Sequence, residues 1–255
     1  MAKIAVGGKV QLIALKGLPL VKKGDEVGKL IVDAAQKQGL RLENGDVIVV
    51  AQTIVSKAEG NVVDLRGVKP SKKAEQIAAR LDKDPREVEV ILQQSSEIVR
   101  LGHVIISRTK HGFVCANAGV DHSNVDPEHV AFLPDDPDAS AARIRDFIKR
   151  ELGTEVSVII SDTQGRTFRM GCVGVAIGVA GMNPLLDLRG KRDLHGKELL
   201  VTITSPADAL AAAAVSVMGE ASEGTPVVVV KGAIYERKNG NARELVMPPE
   251  RDLFK

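Results

Sequence analysis

Two stretches, Val47-Ile48-Val49-Val50 and Val227-Val228-Val229-Val230, constrain this chain more than any other feature. Four β-branched residues in a row present apolar side chains to both faces of a strand, so each run belongs mid-sheet, covered on both sides. Helices must supply that cover. Further apolar runs bounded by turn residues complete a set of seven strands: Val10–Leu15, Asp46–Ala51, Val104–Arg108, Phe113–Ala116, Val156–Ser161, Leu199–Thr204 and Val227–Lys231. The helical period appears four times. Ala74, Ile77, Ala78 and Leu81 share one face, and Asp84-Pro85-Arg86-Glu87 then supplies an N-cap, a first-turn proline and an acid at the capping-box position. Val88, Ile91, Leu92 and Val99 carry the stripe of that second helix. A third runs from about Ser140 to Leu152 on Ile144, Phe147, Ile148 and Leu152, and the fourth is the alanine-rich Ala207–Gly219.

A mixed α/β protein of 255 residues follows, long enough to bury a real core. Aromatics make up 2% (five Phe, one Tyr, no Trp) and the net charge is +2, which excludes stacking platforms for nucleic acid. Cys115 and Cys172 cannot build a disulfide scaffold, so a reducing cytoplasm is the expectation. The start shows no secretory apolar core, its apolar stretches being broken by Gly8, Lys9 and Gln11. The apolar stretch Cys172–Met182 is interrupted by Gly174, Gly178 and Gly181, and no membrane span is expected.

Phosphate-binding P-loops, dinucleotide glycine fingerprints, zinc spacings and esterase elbows are all absent. Three loops exceed the needs of packing: residues 15–25, Ala116–Pro127 and Ser161–Gly171, each after a strand, where α/β proteins place ligands. Asp121, Asp162 and Glu220 stand at the ends of separate elements, with Thr163 beside Asp162. Hard divalent cations take such oxygens, although a lone loop acid more often caps a turn. Lys57, just past a buried strand, and Arg166 and Arg169 supply cations suited to phosphates. The glycines 171, 174, 178 and 181 fit either a ligand approaching the backbone or a helix packed tightly on the sheet. One weak echo, VIVVAQT against SVIISDT, hints at two related halves.

Taken in order, GLPLV, GDVIVVAQTIVSKAEG, CANAGVDHSNV, VIISDTQGRTFRMGCVGVAIGVAG, RDLHGKEL and MGEASEGTPVVVV resemble the coenzyme F420-0:L-glutamate ligase family, over nearly the whole chain except its last two dozen residues. The resemblance implies a two-lobed α+β fold, a single ligase domain over 1–255 with two subdomains, and an intertwined homodimer. Because the chain ends at Lys255, it implies the stand-alone ligase without the flavin domain of some relatives. It implies a cytoplasmic enzyme that adds L-glutamate through amide (γ-glutamyl) bonds to the deazaflavin F420-0, using GTP and an acyl phosphate. Two magnesium or manganese ions and potassium would assist. The implied GTP pocket comprises Leu18, Pro19, Leu20 and Val21; Gln52, Thr53 and Lys57; Asn124; and Met218, Gly219, Glu220, Ala221, Ser222, Glu223, Gly224 and Thr225. One ion would lie on Asp121 and Asp162, the other on Thr163 and Glu220, and Lys57 and Asp162 would be catalytic. Gln52 stands where the family favours a small hydroxyl residue, which leaves its backbone as the expected contact. A different carboxylate-bearing acceptor, or a non-catalytic nucleotide- and metal-binding module, stays open as an alternative. The loops after Ala116 and Arg169 are where an acceptor would be chosen. With only Phe113, Phe132, Phe147, Phe168, Phe254 and Tyr235 as rings, aliphatic walls must hold the bases, and affinity must come mostly from phosphates and metal.

Overall fold

The two valine-rich runs lie side by side at the centre of a five-stranded sheet. The computed structural model describes residues 8–252; Phe254 and the first seven residues, part of the start read for a secretory signal, lie outside them. The strands are β1 (Gln11–Ala14), β2 (Val47–Ala51), β3 (Val62–Asp64), β4 (Ser95–Leu101), β5 (Ile105–Thr109), β6 (Val114–Ala116), β7 (His129–Ala131), β8 (Ser157–Arg166), β9 (Arg169–Ala180), β10 (Leu186–Asp187), β11 (Ile203–Thr204) and β12 (Val227–Lys231). The helices are α1 (Val27–Lys37), α2 (Gln52–Glu59), α3 (Lys72–Leu81), α4 (Pro85–Gln94), α5 (Pro137–Leu152) and α6 (Pro206–Met218). The architecture is mixed α+β, with a main sheet in the order β1-β12-β2-β8-β9 in which only β2 and β8 are parallel.

Strand alternation splits the two runs between two cores. Ile48, Val50, Val227 and Val229 face α1 and α5 through Ile31, Ile144 and Ile148. Val47, Val49, Val228 and Val230 face α6 through Ala207, Ala211 and Ala214. All eight residues of the runs are fully buried. Each such side chain contributes about 1.5–3 kcal/mol relative to exposure. A third core joins α3 and α4 to β5 and β7 through Ala74, Ile77, Val88, Ile91, Ile105 and Val130. Among the described residues no helix is long and apolar enough to cross a membrane.

Two glycines of β9 and the one that follows it answer to packing. A Cβ on Gly174 would stand 2.5 Å from the Ala211 carbonyl of α6, Gly178 abuts Pro137 of α5, and Gly181 abuts Arg145. The alanine-rich helix and the glycine-bearing strand are complementary surfaces, and the choice left open for these glycines resolves toward close helix packing at those three positions.

Several expectations are corrected. Residues 161–171 are not a loop: β8 runs on to Arg166 and β9 returns from Arg169. Val99 belongs to the exposed strand β4, because α4 ends at Gln94. The run from Leu199 shrinks to the two residues of β11, with Leu200 and Val201 exposed. Asp84 does cap α4, accepting from Arg86 N–H at 2.8 Å, but Glu87 closes no box and lies near Lys83 and His122. The helices α1 and α2 add to the four read from periodicity. Both start without a side-chain cap, α2 directly from the end of β2, so neither carries a start signal. The echo gains a structural meaning: in the parallel register Val47 faces Ser157 and Ala51 faces Ser161, so its two copies lie side by side and Gln52 and Asp162 follow as the next positions.

Candidate functional site

The carboxyl end of β2 lies against the middle of β8, its parallel partner in the main sheet, where α/β folds bind ligands. Asp162 and Thr163 follow there in β8, just past its last pair with β2, and α2 leaves β2 beside them. Burial pushes the Asp162 carboxyl up to about 6, against hydrogen bonds from Gln164 and the Thr163 N–H that favour the charged form. The charges of Asp121 and Glu220 add to the rise, so both act electrostatically on Asp162. Gln164 Nε2 donates to Asp162 Oδ2 at 3.0 Å, and Thr163 Oγ1 donates to Glu220 Oε1 at 2.9 Å. The second bond joins the sheet to the Met218–Thr225 loop. Gly219, at φ 76°, ends α6, and the Thr225 hydroxyl returns to the Met218 carbonyl at 2.7 Å. Glu223 accepts from Ala221 N–H at 2.8 Å within its own loop, and Ala221, Ser222, Glu223 and Gly224 are all exposed.

Asp121 arrives from the third core. It forms a two-way bridge with Ala131, at 3.0 and 2.8 Å, and its Oδ1 accepts from Ser123 at 3.0 Å. The neighbouring Phe132 carbonyl accepts from Ser56 Oγ at 2.6 Å and Gln52 Nε2 at 3.4 Å, so α2 fixes the strand on which Asp121 is hung. Of six non-glycine residues with positive φ among the described residues, four (Asn117, Ala118, Asn124 and Glu128) lie around Asp121. Strain held by its surroundings is a mark of functional loops.

Lys57, on α2, donates through Nζ to the Asn124 carbonyl. Burial pulls its pKa below the ordinary lysine range, and the charge of Asp126 pushes back. Gln52 is buried and its Nε2 also donates to Ser56 Oγ at 2.6 Å, which leaves its backbone and that of Thr53 as the first turn of α2. In the first loop Val21 is buried and Leu18 packs on the core, whereas Pro19 and Leu20 face solvent. Gly24 N–H ties the loop to the Ala58 carbonyl at the far end of α2, at 2.8 Å. Arg166 bonds the Met170 carbonyl at 2.9 Å across the β8–β9 turn, and Arg169 is exposed beside it.

Among the described residues no three His, Cys, Asp or Glu side chains are drawn together as a ready-made ion cage, and no cation forms an ion pair with Asp121, Asp162 or Glu220. The donor set nevertheless suits a hard divalent ion: carboxylates and a hydroxyl, oxygen only, with a partly buried carboxylate burdened by two like charges. Cys115 lies close enough for Asp162 to act on it, but burial first and that charge second push its thiol up to about 12, leaving no thiolate for nucleophilic work. Three contributors escaped the sequence reading: Gln164, Ser123 and Asp126. Gln164 follows Asp162 by two residues on one strand face, a signal lost once the segment is read as a loop.

A family model described as F420-0:Gamma-glutamyl ligase matches residues 17–232. The chain is 51% identical over 249 residues to the coenzyme F420:L-glutamate ligase of Methanothermobacter thermautotrophicus, covering 96% of this chain and 99% of that protein. Its counterpart from Methanopyrus kandleri is 47% identical over 256 residues, covering 97% and 100%. The protein of the same name from Archaeoglobus fulgidus is 40% identical over 247 residues, covering 97% of each.

Proposed function

This chain belongs to the F420-0:gamma-glutamyl ligase family, and from that premise we propose that it joins L-glutamate to the deazaflavin F420-0 through amide (γ-glutamyl) bonds at the expense of GTP. The reading is supported by the electrostatic action of Asp121 and Glu220 on Asp162, three acids from separate elements, where β8 passes the carboxyl end of β2 and α2 with Lys57 begins. No residue need act as a covalent nucleophile. An oxygen of the acceptor carboxylate attacks the γ-phosphorus, the bond to the β-phosphate oxygen breaks, and GDP leaves an acyl phosphate. The glutamate amine then attacks the acyl carbon and loses its proton, and inorganic phosphate departs. Positioning and charge neutralisation supply such catalysis.

Lys57 brings a compact charge to the phosphates, held in place by the Asn124 carbonyl. The first-turn amides of Gln52 and Thr53 offer donors to an oxyanion. The Met218–Thr225 loop, tied to β8 through Thr163 and Glu220, wraps the nucleotide, and Leu18, Pro19, Leu20 and Val21 flank it. Asp121 and Asp162 would hold one magnesium or manganese ion and Thr163 and Glu220 a second, which with potassium neutralise phosphate charge when bound. We read the chain as one ligase domain, 1–255, whose lobes are the main-sheet body and the third core. We place a homodimer contact on the exposed apolar side chains of Phe168, Met170, Leu194, Leu200 and Val201.

Purified protein given F420-0, L-glutamate, GTP and manganese should release GDP and yield a product heavier by glutamyl units. No product with any nucleoside triphosphate, or full activity after chelation, overturns the reading.

A further inference from the structure

Residues 233–252, outside the stretch the family model matches, form a built wall. Ala242 is buried and its N–H donates to Asp138 Oδ1 at 2.9 Å. Asn241 and Glu244 form a reciprocal capping box, and Leu245 packs on the α6-side core. The segment that follows, Val246–Met247 and Arg251, closes one side of a cavity of about 360 Å3 whose other sides include Arg108, Phe113 and Gln164. This size lies within the range of about 300–1,000 Å3 usual for small-molecule sites.

Gln164 gives the cavity its meaning, because the same residue donates to Asp162. Whatever fills the cavity therefore ends one side chain from the proposed site of phosphoryl transfer. The walls combine apolar surface from Phe113, Val246 and Met247 with the guanidinium groups of Arg108 and Arg251 and the carboxylates of Asp252 and of Asp208, which accepts from the Ala176 N–H at 2.9 Å. Glu97 at 3.1 Å and the Gly112 carbonyl at 3.4 Å hold Arg108 in position. Apolar walls with cations at the edge fit a planar heteroaromatic group carrying an anionic chain.

We propose that this cavity binds the acceptor, its ring system against Phe113, Val246 and Met247 and its anionic chain on the arginines, with the carboxylate directed past Gln164 to Asp162. The proposal rests on the ligase reading and deepens it. It makes the C-terminal segment and the β5–β6 turn, rather than the loops after Ala116 and Arg169, the elements that select the acceptor.

Met247 is more than half exposed, so Met247→Trp narrows the cavity without touching the core. Arg108→Gln removes charge on a strand surface. Each variant is tested for F420-0 turnover and, separately, for equilibrium dialysis of F420-0 without GTP. The expected result is a rise of at least tenfold in KM and Kd for F420-0, with KM for GTP and for glutamate within twofold. Values for F420-0 within twofold of the parent in both variants overturn the cavity while leaving the ligase intact. Dialysis that shows F420-0 binding weakened by Met247→Trp, in a protein that glutamylates nothing, upholds the cavity and sinks the ligase reading. A parent protein that neither binds nor converts F420-0 ends both.

Discussion

The main sheet carries a buried or half-buried aspartate at each end, and the two have opposite fates. Asp46, just before β2, is almost wholly buried, and its Oδ2 takes Lys231 Nζ at 2.8 Å and Glu43 N–H at 2.8 Å. Burial acts to lower the Lys231 pKa, but the bonds to Asp46 and Glu43 outweigh it and the net shift is upward. Asp162, in β8 just past the carboxyl end of β2, has an amide and a backbone N–H in place of a cation, and two more carboxylates acting on it. A charge matched inside the fold belongs to stability. One left unmatched among like charges is where a ligand must bring the counter-charge.

The first prediction tries to break that contrast at its strong end. Asp162→Asn should lower kcat at least ~10³-fold, about 4 kcal/mol of transition-state stabilisation. It should leave the melting temperature of the metal-free protein at pH 8 unchanged or higher. With its folded-state pKa raised from 3.8 to about 6, the group contributes stability that is full below 3.8 and lost as pH rises through about 6. The neutral amide avoids that loss. A marked fall in melting temperature would mean that Asp162 is structural after all. At the other end, Asp46→Ala should cost about 2 kcal/mol of stability by removing the buried one of the two carboxylates on Lys231 and the acceptor of the Glu43 N–H, read from urea unfolding, with kcat of the folded protein unchanged. A kcat effect in excess of unfolding would erase the distinction.

Lys57 sharpens it from the cationic side. Among the described residues it forms no ion pair and spends its bond on the Asn124 carbonyl, unlike Lys231 with its two carboxylates. Lys57→Ala should cut kcat/KM for GTP about 10- to 100-fold, or ~1.4–2.7 kcal/mol, with little change in unfolding midpoint. An equal loss in Lys57→Arg would show that the compact ammonium matters, and full activity in Lys57→Ala would remove it from the site.

The sequence carried the centre of this molecule better than its edges. VIVV and VVVV reported burial on both faces directly, because β-branched runs have few other uses in a folded chain. The chain was illegible where a signal depends on a distant partner. Gly174 and Gly178 of β9 are set by α6 and α5, so the twelve-residue strand Arg169–Ala180 is missing from the seven read in the sequence. The start of α2 has no cap because β2 delivers it, and β4 continues the stripe of α4 without being part of it. In the site, acids at strand ends were visible as types, and it took the parallel register to bring Gln52 and Asp162 to neighbouring positions. Gln52 also shows how a polar residue at the right end of a strand can serve packing. Its amide bonds Ser56 and the Phe132 carbonyl, so Gln52→Ala should cost about 1 kcal/mol in thermal unfolding and leave KM for GTP within twofold. A tenfold rise in that KM would return its side chain to the pocket.

The smallest effect belongs to a ring. Phe132 lies beside the strand that carries Asp121, and its contribution to the site is made by its carbonyl, which accepts from Ser56 and Gln52. Phe132→Leu preserves that carbonyl and most of the side chain's volume against the third core, a change that usually costs below about 1.5 kcal/mol. Binding of GTP, measured by calorimetry, should therefore stay within twofold, whereas chelation of divalent ions should weaken it at least ~10-fold because phosphates held near Asp121, Asp162 and Glu220 then face uncompensated carboxylates. The scarcity of aromatics makes the outcome decisive. If Phe132→Leu weakened GTP more than chelation did, a stacked ring would be holding the base, and the unmatched acids at the carboxyl end of the sheet would need another explanation.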